Sequence, residues 1–380
     1  MTRHSDSFCD DLIARVKQTI TDQIPLRIIG GETKRFLYGD RGETSRNRSA
    51  DDAAETLNMC AYHGIVEYEP SELVVTVRAG TRLTTLQAIL EENGQMLPFE
   101  PPLFGAQSTV GGVVASGLAG PARPFLGSVR DNLLGCKVIN GKAQLLQFGG
   151  RVIKNVAGYD ITRLMAGAMG TLGILLELSI KVLPKPPCEV TLAMPAAYHE
   201  ALDIMSARVC KPLPLSALCY DGEAVVMRLS GNEAAVADAQ RKIAGESLTQ
   251  GAEFWQTLNN QSHYFFEESL SGQVPLWRLS LAPATLALDI PGNTLLDWCG
   301  GQRWLKSNEP ASKIRDAIEN EGGHATLFRA GKYSLPSVSV FHPLAPTLQK
   351  YQHRIKAAFD PHRILNRNRY YPDNMENTPS

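Results

Sequence analysis

The apolar positions Phe8, Leu12, Ile13, Val16 and Ile20 recur at three- and four-residue steps, so the chain opens on an amphipathic helix whose stripe must be covered. Residues 26–29, LRII, are a short apolar run that stops at Gly30-Gly31 and read as a buried strand entering a turn. A helical pattern follows over residues 51–63. IVEYE and ELVVTVRAG are then two strands punctuated by Pro70-Ser71, and TTLQAILEENG is a helix stopped by Gly94. Further on, LLGCKVI and AQLLQF flank Asn140-Gly141, a dipeptide that accepts the positive φ of a tight hairpin turn. YDITRLMAGAMG is helical in pattern, and GILLELSIKVLPKPP is a strand ended by prolines. Strands and helices alternate without the regular spacing of βαβ units, which predicts an α+β protein.

Residues 105–124, GAQSTVGGVVASGLAGPARP, break the alternation. A flexible linker is small and polar throughout, whereas this stretch threads Val110, Val113, Val114 and Leu118 between five glycines and is therefore expected to pack, with Thr109 capping a helix. The chain of 380 residues exceeds the usual single core. Prolines and charge at residues 184–187 divide a first domain, 1–187, from a second α+β domain, 188–345, which holds all four tryptophans. The last segment, 346–380, contains FDPHRILNRNRYYP; Phe359, Ile364, Leu365 and two tyrosines predict that it docks back on the first domain.

Charge and cysteine content narrow the function. With 38 basic and 39 acidic side chains, no global field draws in nucleic acid or an anionic membrane. The polar N-terminus and the absence of a run near 18 apolar residues predict a cytoplasmic chain without a membrane span. Seven scattered cysteines with no Cys-x-x-Cys pair read as reduced, mostly buried thiols rather than as disulfides, a zinc site or an iron–sulfur cluster.

The candidate chemistry lies in the glycines. Glycine lets main chain approach a ligand closely and bares amide hydrogens to an anion or a flat ring. Two places suit this: Gly30-Gly31-Glu32-Thr33-Lys34 after a strand, and residues 109–117, where the first amides behind Thr109 are expected to face an anion. The alternative is tight turns and close helix packing. Gly167, Gly170 and Gly173 lack the Gly-x-Gly-x-x-Gly spacing and there is no phosphate loop of the Gly-x-x-x-x-Gly-Lys kind, so a dinucleotide needs a fold other than Rossmann.

VRAGTRLTTLQAILEENGQMLPFEPP, STVGGVVASGLAGP and GSVRDNLLGCKVINGKAQLLQFGGRVIKNVAGYDITRLMAGAMGTLGILLELSIKVLPKP together resemble the PCMH-type FAD-binding domain of the vanillyl-alcohol oxidase and p-cresol methylhydroxylase family. LWRLSL, DWCGGQRWL and GGHATLFRA resemble, within it, the FAD-binding subunits of glycolate oxidases, and FDPHRILNRNR resembles the family's C-terminal return segment. The resemblance implies a two-lobed FAD domain with a cap domain over the flavin. It implies Gly30, Gly31, Glu32, Thr33 and Lys34 as a first pyrophosphate loop, in which Glu32 departs from the usual small residue and must point away. It also implies Pro101 and Pro102 near the flavin ring, Thr109, Gly111, Gly112, Ser116 and Gly117 at the flavin or pyrophosphate, and Gly170 and Ile174 by the adenine half. Lys154, Asn155, Tyr159 and Asp160 form a patterned block that is equally a turn and helix start, with Asp160 as cap. Neither loop contains the histidine that attaches flavin in some relatives, so the FAD is expected to be non-covalent and dissociable.

Oxidising a 2-hydroxy acid needs a base, a clamp for the carboxylate and the flavin as acceptor. Relatives acting on D-2-hydroxy acids carry a His-x-Gly-Asp-Gly-x-x-His block, which this chain lacks. His324, His342 and His263 stand alone, as does Arg303, so no catalytic residue and no metal ligand is assigned. The resemblance then implies work beside a catalytic flavoprotein subunit and an iron–sulfur subunit of one complex, with membrane association through a partner. Two other readings stay open: a self-sufficient flavin oxidoreductase for another hydroxy acid or sugar alcohol, with a base such as His324 or Tyr159, and a non-catalytic assembly subunit.

Overall fold

The computed structural model describes residues 2–38, 54–150, 160–331 and 338–370. Lys154, Asn155 and Tyr159 lie outside the described residues.

The N-terminal helix α1 (Thr2–Asp22) forms as its period predicts, and lays Leu12 and Val16 onto a core with Leu26, Leu57, Ile139, Leu176 and Leu365. Strand β1 (Leu26–Ile29) pairs in parallel with β2 (Glu55–Asn58). The helix expected over residues 51–63 is therefore corrected: β2 and a single 3-10 turn, Met59–Ala61, occupy its described part. Helix propensity is a weak local preference. Here the open edge of β1 recruits residues 55–58, Leu57 enters the core, and the Asn58 side chain accepts from the Cys60 amide to end the strand.

Next come β3 (Ile65–Glu69), β4 (Val74–Arg78), α2 (Leu83–Glu92), β5 (Gln95–Met96), α3 (Val110–Ser116), α4 (Arg123–Leu126), α5 (Val129–Asn132), β6 (Leu133–Ile139), β7 (Leu145–Gly149), α6 (Ile161–Met165), β8 (Ile174–Lys181) and β9 (Leu183–Pro184). An antiparallel sheet runs β3-β4-β8-β6-β7. Leu83, Leu86 and Leu90 of α2 and Val110, Val113 and Val114 of α3 cover one part of it, so the glycine-rich stretch is packed. The β6–β7 hairpin is present, but the positive φ falls on Ala143 at +57°. Gly141 serves another purpose: a Cβ there would overlap the Asp360 carboxylate.

The second lobe contains β10 (Cys188–Pro195), α7 (Tyr198–Val209), β11 (Leu215–Tyr220), β12 (Ala224–Gly231), α8 (Glu233–Lys242), β13 (Glu246–Ser247), α9 (Gly251–Asn259), α10 (Glu267–Leu270), β14 (Leu276–Ser280), β15 (Asn293–Asp297), β16 (Gln302–Lys306), α11 (Ala311–Asn320) and β17 (His324–Arg329). Its eight-stranded sheet runs β13-β10-β12-β11-β15-β16-β14-β17 with antiparallel pairing throughout. Helices α7 and α8 cover one part of this sheet and α11 another. A further cluster joins Trp304 and Phe328 of the sheet to Leu37, Leu118 and Met169 of the first lobe, so the second lobe closes over the glycine-rich elements. Polar ties fix that closure: Arg228 pairs with Glu100 at 2.6 Å, Trp298 Nε1 donates to the Gly120 carbonyl at 2.9 Å, and the Leu103 amide donates to Asn260 Oδ1 at 2.7 Å.

Helix α12 (Pro346–Phe359) leads into the returning segment. The Leu26 amide donates to the Ile364 carbonyl, the Asn366 amide donates to the Leu26 carbonyl, and Asn366 Oδ1 accepts from the Ile28 amide. A buried Lys356–Asp360 pair at 2.7 Å locks the bend. The seven cysteines are free.

Candidate functional site

Two glycine segments far apart in sequence lie against each other. A side chain on Gly31 would overlap the Gln107 carbonyl, and one on Gly30 would crowd the Thr109 hydroxyl, so both positions need glycine for the loop at 30–34 to seat on the loop at 105–109. Glu32 adopts φ +51°, which turns the chain into a concave nest. The backbone amides of Gly30, Gly31, Glu32, Thr33 and Lys34 donate to no acceptor among the described residues. The Glu32 carboxylate points away, accepting from Arg27 Nη2 at 2.8 Å with Arg35 Nε at 3.7 Å. Lys34 is only 5% exposed; its Nζ donates to Ser108 Oγ at 3.0 Å, and burial without a carboxylate partner pulls its pKa down to about 8. A row of open amides beside a buried, uncompensated ammonium is a donor set that a diphosphate satisfies, so this loop fits the group the sequence implied.

The second segment behaves differently. Thr109 caps α3 as expected, its Oγ1 accepting from the Gly112 amide at 3.2 Å. The Val110 amide, however, donates to the Thr81 carbonyl and the Gly111 amide to the Ala79 carbonyl. The expectation that the first amides of α3 face an anion is thus corrected: the chain just after β4 and the Thr109 hydroxyl already satisfy them. Gly111 lacks a side chain so that α3 can sit on Ala79. Ser116 Oγ donates to the Val113 carbonyl, and Gly117, at φ +64°, ends the helix against Gly167. Gly170, at φ +72°, packs on the Asn366 amide group. The Ile174 side chain is fully buried in the core beside α1 and presents no surface to a ligand. Asp160 accepts from the Arg163 amide and caps α6.

Pro101 and Pro102 are both buried, and Pro102 lines a small cavity, of about 30 Å³, between the lobes. Its first-lobe wall includes Phe104 and residues 118–121; its second-lobe wall includes Gln261, Arg278, Asp297 and Gln302. Sequence reasoning assigned these four no role. The signal available was an arginine between apolar neighbours in LWRLSL and an aspartate heading DWCGGQRWL. Burial raises the Asp297 carboxyl to about 7, and burial lowers Arg278 to about 10, with the Arg123 charge adding to that.

The histidines and Arg303 take other posts. His263 Nδ1 accepts from the Phe265 amide, and His342 Nδ1 accepts from the Ala325 amide. His324 sits on β17, its pKa lowered by burial and by Arg278. Arg303 is buried and clamps the carbonyls of Thr285, Leu286 and Gly300. Among the described residues, no group of three His, Cys, Asp or Glu side chains is arranged to hold a metal ion. No helix among them is long and apolar enough to cross a membrane.

Residues 9–149 match the FAD binding domain family, which makes the first lobe a PCMH-type flavoprotein domain under a second lobe. The solved alkyldihydroxyacetonephosphate synthase shares the fold, with a TM-score of 0.63 at 16% identity over 94% of this chain and 74% of that one. The chain belongs to the family of the glycolate oxidase subunit GlcE: it is 43% identical to that subunit of Escherichia coli (strain K12) over 373 residues, 98% of this chain and 100% of the other. Glycolate oxidase subunit GlcD of Bacillus subtilis (strain 168) is 33% identical over 150 residues, 38% of this chain and 32% of that one.

Proposed function

We propose that the chain is the FAD-binding subunit of a multi-subunit glycolate oxidase, serving the oxidation of glycolate to glyoxylate and the passage of electrons to a partner subunit or acceptor. The observation that carries this reading is the end-to-end likeness to the Escherichia coli subunit. FAD, when bound, supplies the two-electron acceptor. The chain's own part is to hold it: the amides of residues 30–34 face the diphosphate and Lys34 balances its charge. Neither loop contains a histidine, so the flavin is held without a covalent bond.

The partial likeness to GlcD, a differently named glycolate oxidase subunit, supports a second flavoprotein subunit as partner. The cysteines here are scattered and without a cluster motif, so an iron–sulfur subunit is proposed to continue the electron path, with any membrane attachment supplied by a partner of this cytoplasmic chain. Residues 1–187, 188–345 and 346–380 are proposed as FAD domain, cap and return segment, supported by the change of sheet between β9 and β10. In a reconstituted complex, omitting this chain is expected to abolish glycolate-to-dye activity, and acid precipitation of the purified chain is expected to leave the yellow colour in the supernatant. Full activity without the chain contradicts the reading.

A further inference from the structure

The cavity between the lobes is built by strand register. In β14, β16 and β15, Arg278 lies across from Trp304 and Asp297 across from Gln302. Gln302 links the charged pair: its Oε1 accepts from Arg278 Nε at 2.6 Å and its Nε2 donates to Asp297 Oδ2 at 3.1 Å. Arg278 is also stacked over Trp298, 5.0 Å from the ring centre, which sets the plane of its guanidinium. Its two terminal nitrogens donate to no acceptor among the described residues.

Gln261 reaches the same cavity from the loop after α9. It is 3% exposed, and its Oε1 accepts from Arg329 Nη2 at 3.0 Å, while its Nε2 is buried without a partner. Arg329 is itself stacked on Phe36 at 4.1 Å, so the amide is held in that orientation. A buried donor with no acceptor destabilises the fold, a penalty that a bound acceptor removes.

We propose that this cavity binds a small 2-hydroxycarboxylate, with the free edge of Arg278 and the Gln261 amide on its carboxylate and Asp297 as hydrogen-bond partner of its hydroxyl. A planar guanidinium edge offers two parallel donors and matches a carboxylate better than a point charge does. Phe104, Trp304 and Phe328 supply an apolar wall, where such bonds are stronger than in water. The space of about 30 Å³ is narrow, which favours a compact acid over a long one. With its pKa near neutrality, Asp297 can either donate to or accept from the ligand's second oxygen.

The choice of glycolate as probe rests on the proposed function; the site rests on the cavity. Calorimetric titration of the full-length chain is expected to show binding of glycolate, none of ethylene glycol, which lacks the carboxylate, and at least tenfold weaker binding of acetate, which lacks the hydroxyl. Gln261→Glu keeps the Arg329 partner and the fold but sets a negative charge against the ligand. It is expected to weaken glycolate binding at least tenfold with the melting temperature unchanged, and Arg278→Met is expected to weaken it likewise. No glycolate binding by the wild-type chain, or equal affinity in both variants, overturns the site. If that chain still sustains glycolate-to-dye turnover in the complex, the FAD-subunit reading stands while the carboxylate site falls.

Discussion

Lys34 carries an ammonium into a place where one hydroxyl and the face of Phe104, rather than a carboxylate, answer it. Its pKa falls from 10.5 to about 8 on folding, so between about pH 8 and 10.5 the unfolded chain holds more protons than the folded one. Stability of the flavin-free chain is therefore expected to rise with pH across that window, and Lys34→Met to remove the rise. A bound diphosphate favours the charged form, so FAD affinity is expected to fall as pH climbs past about 8, with a flatter profile in Lys34→Met. A wild-type affinity constant from pH 7 to 9.5 contradicts this account of the lysine. At this scale the sequence showed the glycines and Lys34 but not their circumstances. Glu32 looks hostile to a diphosphate until Arg27 and Arg35 are seen to draw it away. Asp297 and Gln302 share one block, but Arg278 lies apart from it in sequence; three antiparallel strands bring them together.

Among the elements, those governed by a single period were legible. The apolar stripe of α1, the run of β1 and the cap of α3 follow from local spacing. Residues 51–63 misled because β2 is specified by its partner strand rather than by its own propensities. The amides of α3 misled because their acceptors, the Ala79 and Thr81 carbonyls, lie some thirty residues upstream. The returning segment was legible from its apolar side chains, though not the device that secures it. Asp360 accepts from Lys356 and from the amides of Ile364 and Leu365, all inside the core. Removing the carboxylate leaves Lys356 charged and buried, so Asp360→Ala is expected to cost about 3 kcal/mol in urea unfolding. A loss below about 1 kcal/mol means the pair does not hold the segment.

At the scale of the whole molecule, the division into an antiparallel five-stranded sheet with its helices and an eight-stranded sheet above it agrees with the α+β reading. The proline-rich turn at residues 184–187 lies where one sheet gives way to the other. What no local pattern carries is the way the second lobe seats on the first, through Glu100 and Arg228, Gly120 and Trp298, and the aromatic contacts of Phe36, Phe104 and Phe328. That closure sets the loop at residues 30–34 and the inter-lobe cavity on the same molecule, with Arg329 touching both Phe36, two residues after Lys34, and Gln261 in the cavity wall.

Main-chain amides of residues 30–34, with Lys34, are proposed to grip a diphosphate. Fluorescence titration of the flavin-free full-length chain with FAD and with riboflavin, which shares the ring but has no phosphate, tests it directly. FAD is expected to bind at least a hundredfold more tightly than riboflavin, and Lys34→Met to narrow the gap at least tenfold. Equal affinity for the two flavins, or a gap unchanged in Lys34→Met, contradicts it.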